Sequence, residues 1–162
     1  MDSKLFFHTA LVAWLASLSL GCVGHKSVHA ELVIPATPDR VWAVITDGPS
    51  YGEWNPILVS AKGEFVEGGT ILYEMKNPEG EIYEVDPIIR KLVPERELNQ
   101  FGGTRGVLTF DHTWRVEPVE DGSKVTQHEE YRGIGVFFWD PAWVEDAYEE
   151  GLVNLRERLE NP

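Results

Sequence analysis

The chain is short of what most catalytic and nucleic-acid sites are built from. It has one cysteine, Cys22, so no internal disulfide can staple it. His, Cys and Asp never fall at zinc-ligand spacing, no glycine-rich turn opens a helix, and no G-x-S-x-G motif occurs. No metal site is expected, and any catalysis would be acid–base work without a cofactor. Basic residues are scarce: Lys plus Arg number 14 against 27 Asp plus Glu, for a net charge of −13. A surface that acidic repels phosphate backbones and no Lys/Arg cluster relieves it, which excludes nucleic acid as a partner. Attraction to anionic lipid through a basic patch is excluded for the same reason. Neither exclusion touches apolar ligands.

Long apolar runs are also few. The best, Leu5 to Leu20, is broken by His8, Thr9 and two serines, and falls short of the about 20 strongly apolar residues of a spanning helix. Following Lys4, it suits the apolar segment of an export signal, with a membrane-lying helix as the alternative. Two processing sites compete. Val28-His29-Ala30 has the small-residue spacing of signal cleavage only loosely, whereas Leu18-Ser19-Leu20-Gly21-Cys22 resembles a bacterial lipobox. Residues 27–34 read as an opening strand that a cut after Ala30 would halve, so the cut before Cys22 is expected, lipidating that cysteine. The expected organisation is an export signal over 1–22, a tether over 23–27 and one domain over 27–160. That makes the protein an envelope lipoprotein tethered to a membrane, or, with the other cut, a soluble secreted or periplasmic one.

What is plentiful is alternation. Residues 107–133 hold two runs of period two around Asp121-Gly122, a strong hairpin signal. A two-residue turn there pairs Trp114 with Glu129, His112 with Tyr131, and Val116 with Gln127. One face carries Thr109, Asp111, Thr113, Arg115, Glu117, Thr126, His128, Glu130 and Arg132, and is expected to meet water. The other carries Phe110, His112, Trp114, Val116, Val125, Gln127, Glu129 and Tyr131. Ionisable groups among inward aromatics cost free energy unless they pair or meet ligand or water. Three readings stay open for His112 and Glu129: mutual satisfaction in a solid core, a polar patch facing a ligand, or a catalytic dyad.

The remaining elements follow from local chemistry. The opening strand stops at Pro35, and Thr37-Pro38 starts a short helix that Gly48-Pro49 ends. A second short helix covers 50–54. Strands are predicted over 57–66, 69–77, 81–93, 95–101, 107–118 and 123–132, separated by turn residues that include Pro94-Glu95 and Gly102-Gly103. Pro87 implies an edge or bulge in the third of these. Trp143, Val144, Ala147, Tyr148, Leu152, Leu155 and Leu159 form one stripe of a long last helix beginning at Asp140-Pro141. Gly151 sits on or beside that stripe, at a cost of about 1 kcal/mol relative to Ala.

This order resembles the START/SRPBCC superfamily, in the branch of polyketide cyclase/dehydrase and lipid-transport proteins. The likeness rests on Ile34-Pro35-Ala36-Thr37-Pro38-Asp39-Arg40-Val41-Trp42, Asp47, Tyr51 and Trp54-Asn55-Pro56. It continues through Gly63, Gly68, Pro87, Pro94, Leu98, His112, the Asp121–Val125 turn, Glu129–Gly133 and the terminal helix. The resemblance implies an α+β helix-grip fold: a curved seven-stranded antiparallel sheet around the C-terminal helix, two short helices after strand 1, and a cavity between sheet and helix. It also implies a small hydrophobic ligand, lipid-, sterol-, quinone- or polyketide-like. Trp54, Phe101, Trp114, Tyr131 and Tyr148 are the expected walls, with His112, Gln127 and Glu129 as polar contacts. Phe137-Phe138-Trp139 is expected either to cap the mouth or to staple the helix. The alternative is a cyclase or dehydratase with His112 as base oriented by Glu129, and Tyr131 or Tyr73 steadying an enolate. A third possibility is a domain whose acidic face docks a protein.

Overall fold

The computed structural model describes residues 24–161. The expected export signal and Cys22 lie outside the described residues. Strand β1 (His25–Ile34) begins inside the stretch expected as a tether. Helix α1 (Pro38–Ile45) starts at Pro38 with Thr37 extended before it, although the threonine hydroxyl makes no capping bond. A 3-10 turn (Gly48–Ser50) leads into α2 (Tyr51–Trp54). Strands β2 (Leu58–Lys62), β3 (Leu72–Lys76), β4 (Ile82–Val85), β5 (Ile88–Val93) and β6 (Glu97–Thr104) follow. The chain closes with β7 (Leu108–Val119), β8 (Gly122–Arg132), a second 3-10 turn (Ile134–Phe137) and helix α3 (Ala142–Glu160).

The architecture is α+β, antiparallel, with α3 against the sheet, consistent with a helix grip. It differs from a single seven-stranded sheet: five strands run β1-β8-β7-β6-β5 and three run β2-β3-β4. The ladder breaks at Asp86-Pro87, splitting the expected 81–93 strand into β4 and β5. Proline has no N–H to give a ladder. Register nevertheless carries across the break, since Thr70 bridges Ile88 in line with the Tyr73–Val85 pair. Ile71 N–H donates to the Pro87 carbonyl at 3.2 Å, and Ile89 N–H to Gly69 at 2.8 Å. The two sheets thus form one bent wall.

The central hairpin is shifted from expectation. His112 pairs with Glu129, Trp114 with Gln127, and Val116 with Val125, around a loop of Glu120-Asp121. A two-residue shift keeps every side chain on its expected face. The cause lies at Gly122, which has φ of 136° and would drive a Cβ to 2.1 Å from the Ile34 carbonyl oxygen. The glycine serves the close approach of β1's end, so it joins the strand and the turn forms before it. On the outward face, Thr109, Thr113 and Thr126 are buried despite facing away from the helix. Two of them are tied down there, Thr109 donating to the Arg132 carbonyl at 3.2 Å and Thr113 accepting from Asn99 at 2.9 Å. The Gly102-Gly103 pair is not a turn either; it lies inside β6, and the β6–β7 loop spans 105–107.

Helix α3 buries Val144, Ala147, Tyr148, Gly151, Leu152, Leu155 and Leu159. A Cβ on Gly151 would stand 3.4 Å from Pro56 Cδ, so the glycine admits the α2–β2 connection and not the sheet. Asn154 donates to the Trp54 carbonyl at 2.9 Å and Arg40 to that of Leu159 at 2.8 Å. These bonds pin the second half of the helix. Its first half stands over the inward face of β7 and β8.

Candidate functional site

Between that first half and the bent wall lies a cavity of about 620 Å³. Strand alternation aims its side chains. On β7 and β8 the inward positions are Phe110, His112, Trp114, Glu129 and Tyr131, all of which line it. On β3 and β4 the pairs Met75–Tyr83 and Tyr73–Val85 share a face, and all four residues line it too. Helix α3 supplies Trp143, Val144 and Tyr148, and the segment before it Trp139. Most of this surface is aromatic or aliphatic.

Its polar content is concentrated at Glu129, which is 6% exposed. Tyr148 donates to Glu129 Oε2 at 2.5 Å, and the Tyr131 hydroxyl donates to the same oxygen. Burial pushes the Glu129 carboxyl up to about 7, against the pull of the two tyrosines; Asp111 adds a little. Burial beside this carboxylate raises both tyrosine hydroxyls well above the phenolic range. His112 lies beside the cluster, its ring 5.4 Å from that of Tyr148 and 5.8 Å from that of Trp114. Its Nε2 is buried without a hydrogen-bond partner. Burial pulls His112 down to about 4, with Gln127 opposing, so the imidazole is neutral at physiological pH. Across the cavity Gln100 donates to the Tyr73 hydroxyl at 2.7 Å.

The structure brings together His112, Trp114, Glu129, Tyr131 and Tyr148, with Tyr73 beside them, and leaves out three other expected residues. Trp54 is buried away from the cavity, stacked on Tyr51 at 5.2 Å. Phe101 pairs with Asp111 on the outer face, under the Arg90 guanidinium at 3.4 Å. Alternation gives the inward place to its neighbour Gln100, opposite His112. Gln127 is buried core, donating to the Tyr148 carbonyl at 3.4 Å. The orienting bond expected between His112 and Glu129 is missing: they are partners in register, but no hydrogen bond joins them, and both tyrosines donate to the carboxylate's Oε2.

Sequence reasoning also missed residues. Gln100 was legible from Leu98, since an inward Leu98 sets the parity of β6. Met75, Tyr83 and Val85 follow from Tyr73 once β3 and β4 are paired. Of the apolar cluster before α3, Trp139 lines the cavity and meets Tyr131 edge-on at 4.6 Å, whereas Phe137 and Phe138 are exposed.

Over residues 25–160 the chain matches the family model described as polyketide cyclase / dehydrase and lipid transport. No curated protein matches it. Among solved structures, an uncharacterized protein from Rhizobium leguminosarum is similar at 18% identity and TM-score 0.69, covering 87% of this chain and 98% of that one. A Rhodobacter sphaeroides protein is similar at 17% identity and TM-score 0.70, covering 86% and 98%. The di-domain ARO/CYC StfQ from the steffimycin biosynthetic pathway is similar at 9% identity and TM-score 0.69, covering 84% of this chain and 51% of StfQ. At such identities the likeness is one of fold.

Proposed function

The chain belongs to the polyketide cyclase/dehydrase and lipid transport family, and we propose that it binds a small, mainly apolar molecule between sheet and helix. The observation that carries this reading is the aromatic-lined cavity of about 620 Å³, a size ordinary for ligand sites. Trp114, Tyr131 and Tyr148 serve as walls, and Glu129 with His112 marks the polar end. The protein is exported and held at a membrane through lipidated Cys22. Ala30 is buried within β1, so a cut after it would strip His25–Ala30 from the strand, which supports the earlier site. Native mass spectrometry of unfractionated protein tests the binding reading, with a co-purifying small molecule as the expected result. Leu108→Trp, at a half-buried cavity position, should fill the space and expel that molecule while the protein stays folded. A preparation free of small molecules, into which no lipophilic dye partitions, sinks the reading. Cys22→Ser should move the protein from detergent-soluble to aqueous fractions, and an unchanged distribution rejects the anchor.

One observation favours a second reading. A buried carboxyl that titrates near neutrality beside two phenols is suited to proton transfer next to a carbonyl. Glu129 would then be the base, taking the proton on Oε1 while the two phenols hold Oε2; His112, neutral and not bonded to Glu129, would be a wall. Deuterium exchange from solvent into the α-carbon of a bound ketone tests this. Exchange lost in Glu129→Gln while the ketone still binds supports catalysis, and unchanged exchange rejects it.

A further inference from the structure

The charge pattern of the cavity narrows the ligand class. Among the described residues that line it there is no lysine or arginine. The charged groups present are acidic: Glu129 at the buried end and the exposed Glu79 and Asp140. Lys26, on the inward side of β1, spends its ammonium on the Trp139 backbone carbonyl at 2.8 Å and is not part of the lining. His112 supplies no positive charge, since it is neutral above about pH 4. A carboxylate, sulfate or phosphate brought into this space would be stripped of water with no cation to meet it, a heavy penalty.

The hydrogen-bonding capacity left over has a direction as well. The Tyr131 and Tyr148 hydroxyls both spend their protons on Glu129 Oε2. Gln100 spends an amide proton on Tyr73, and Asn55 Oδ1 accepts from the Ile57 and Leu58 N–H groups. Both bonds to the Glu129 carboxylate fall on Oε2, and no hydrogen bond from the described residues reaches Oε1. Two polar atoms at the buried end are thus left without a protein partner, Glu129 Oε1 and His112 Nε2; the charged one is the carboxylate oxygen, an acceptor, and a donor is what complements it.

We infer that the cavity selects apolar molecules whose buried end carries a hydrogen-bond donor and no negative charge, such as a phenol or alcohol, and rejects acids of the same shape. This rests on the cavity being a binding site. The selectivity comes from leaving an anion without a cation and leaving the Glu129 oxygen without a proton to accept.

The test compares 4-octylphenol, 4-octylanisole and 4-octylbenzoate, equal in tail and ring, by calorimetry with the purified wild-type chain at about pH 8, where Glu129 is mostly ionised. The phenol is expected to bind at least about tenfold more tightly than either the ether or the acid. In Glu129→Gln, which keeps the shape and removes the charge, the phenol–benzoate gap should narrow by about threefold or more as the like-charge repulsion goes, while the phenol stays the tighter ligand because the lining still offers the acid no cation. Benzoate binding as tightly as phenol in the wild type overturns the inference and leaves the binding site standing. Equal binding of phenol and anisole overturns the requirement for a donor. If none of the three binds, the binding reading falls, and this inference with it.

Discussion

Tyr148 on α3 donates its hydroxyl proton to Glu129 on β8 at 2.5 Å, bonding the helix to the centre of the sheet through a buried carboxyl. Tyr131, two residues on along the same strand, donates to the same oxygen. Around this junction rings meet edge-on, Trp139 against Tyr131 and Trp114 against His112.

The junction should reveal itself in pH dependence. Glu129 has a native value of about 7 against an ordinary 4.5. The native state therefore binds more protons than the unfolded one between those values. Stability from this group is complete below 4.5 and is lost as pH rises to 7, by on the order of 3 kcal/mol. Urea unfolding of wild type and Glu129→Gln from pH 5 to 8 should show the variant gaining on the wild type as pH rises; parallel curves would contradict it.

His112 works in the opposite sense. Its value falls from 6.5 to about 4, so its contribution is present above 6.5 and lost as pH falls toward 4. Between 4.5 and 6.5 the two groups offset each other in the wild type. His112→Phe should lose that acid-side decline and leave the Glu129 trend uncovered. Imidazole carbon-bound proton resonances of His112 should hold still from pH 8 to 5.5; a midpoint near 6.5 would refute its burial as a neutral ring.

Removing either phenolic donor should raise the Glu129 value further, since each bond favours the ionised carboxyl. Tyr148→Phe and Tyr131→Phe should each cost about 1–3 kcal/mol near pH 7, and less together than the sum, because they share one acceptor. Carboxyl carbon shifts of labelled glutamate give the first effect, and a double-mutant cycle gives the second.

Gly151→Ala is expected to be neutral or to stabilise by up to about 1 kcal/mol. The new methyl meets Pro56 at ordinary contact distance, and the helix gains propensity. Gly151→Leu should destabilise by forcing Pro56 away. Thermal unfolding of both decides whether this glycine is needed for packing or merely tolerated.

Gly102→Ala should act on the cavity. A Cβ there would lie 2.5 Å from the Phe110 ring, which crosses β6 at this point. Phe110 has to move, and it lines the cavity, so uptake of a lipophilic dye should change several-fold while the protein remains folded. Unaltered uptake would show that the ring relaxes without cost.

Local sequence rules were sufficient wherever one residue type acts alone. Period-two alternation assigns Trp114, Glu129 and Tyr131 to one face even with the pairing two residues off, because an even shift does not change faces. The stripe from Val144 to Leu159 finds the buried side of α3 in the same way. These rules fail where two distant segments compete for one atom. Gly122 reads as a turn residue, yet its conformation answers to the Ile34 carbonyl. Trp54 reads as a pocket wall, yet Tyr51 captures it.

The sequence by itself determined an acidic antiparallel α+β domain with a histidine, a glutamate and aromatics turned inward, since composition and alternation depend on nearest neighbours alone. Only the tertiary structure decided that Glu129 bonds Tyr131 and Tyr148 and not His112. The physical reason is that the approach of α3 to β8 fixes which donors come within reach of a buried carboxyl, and burial then sets its proton affinity.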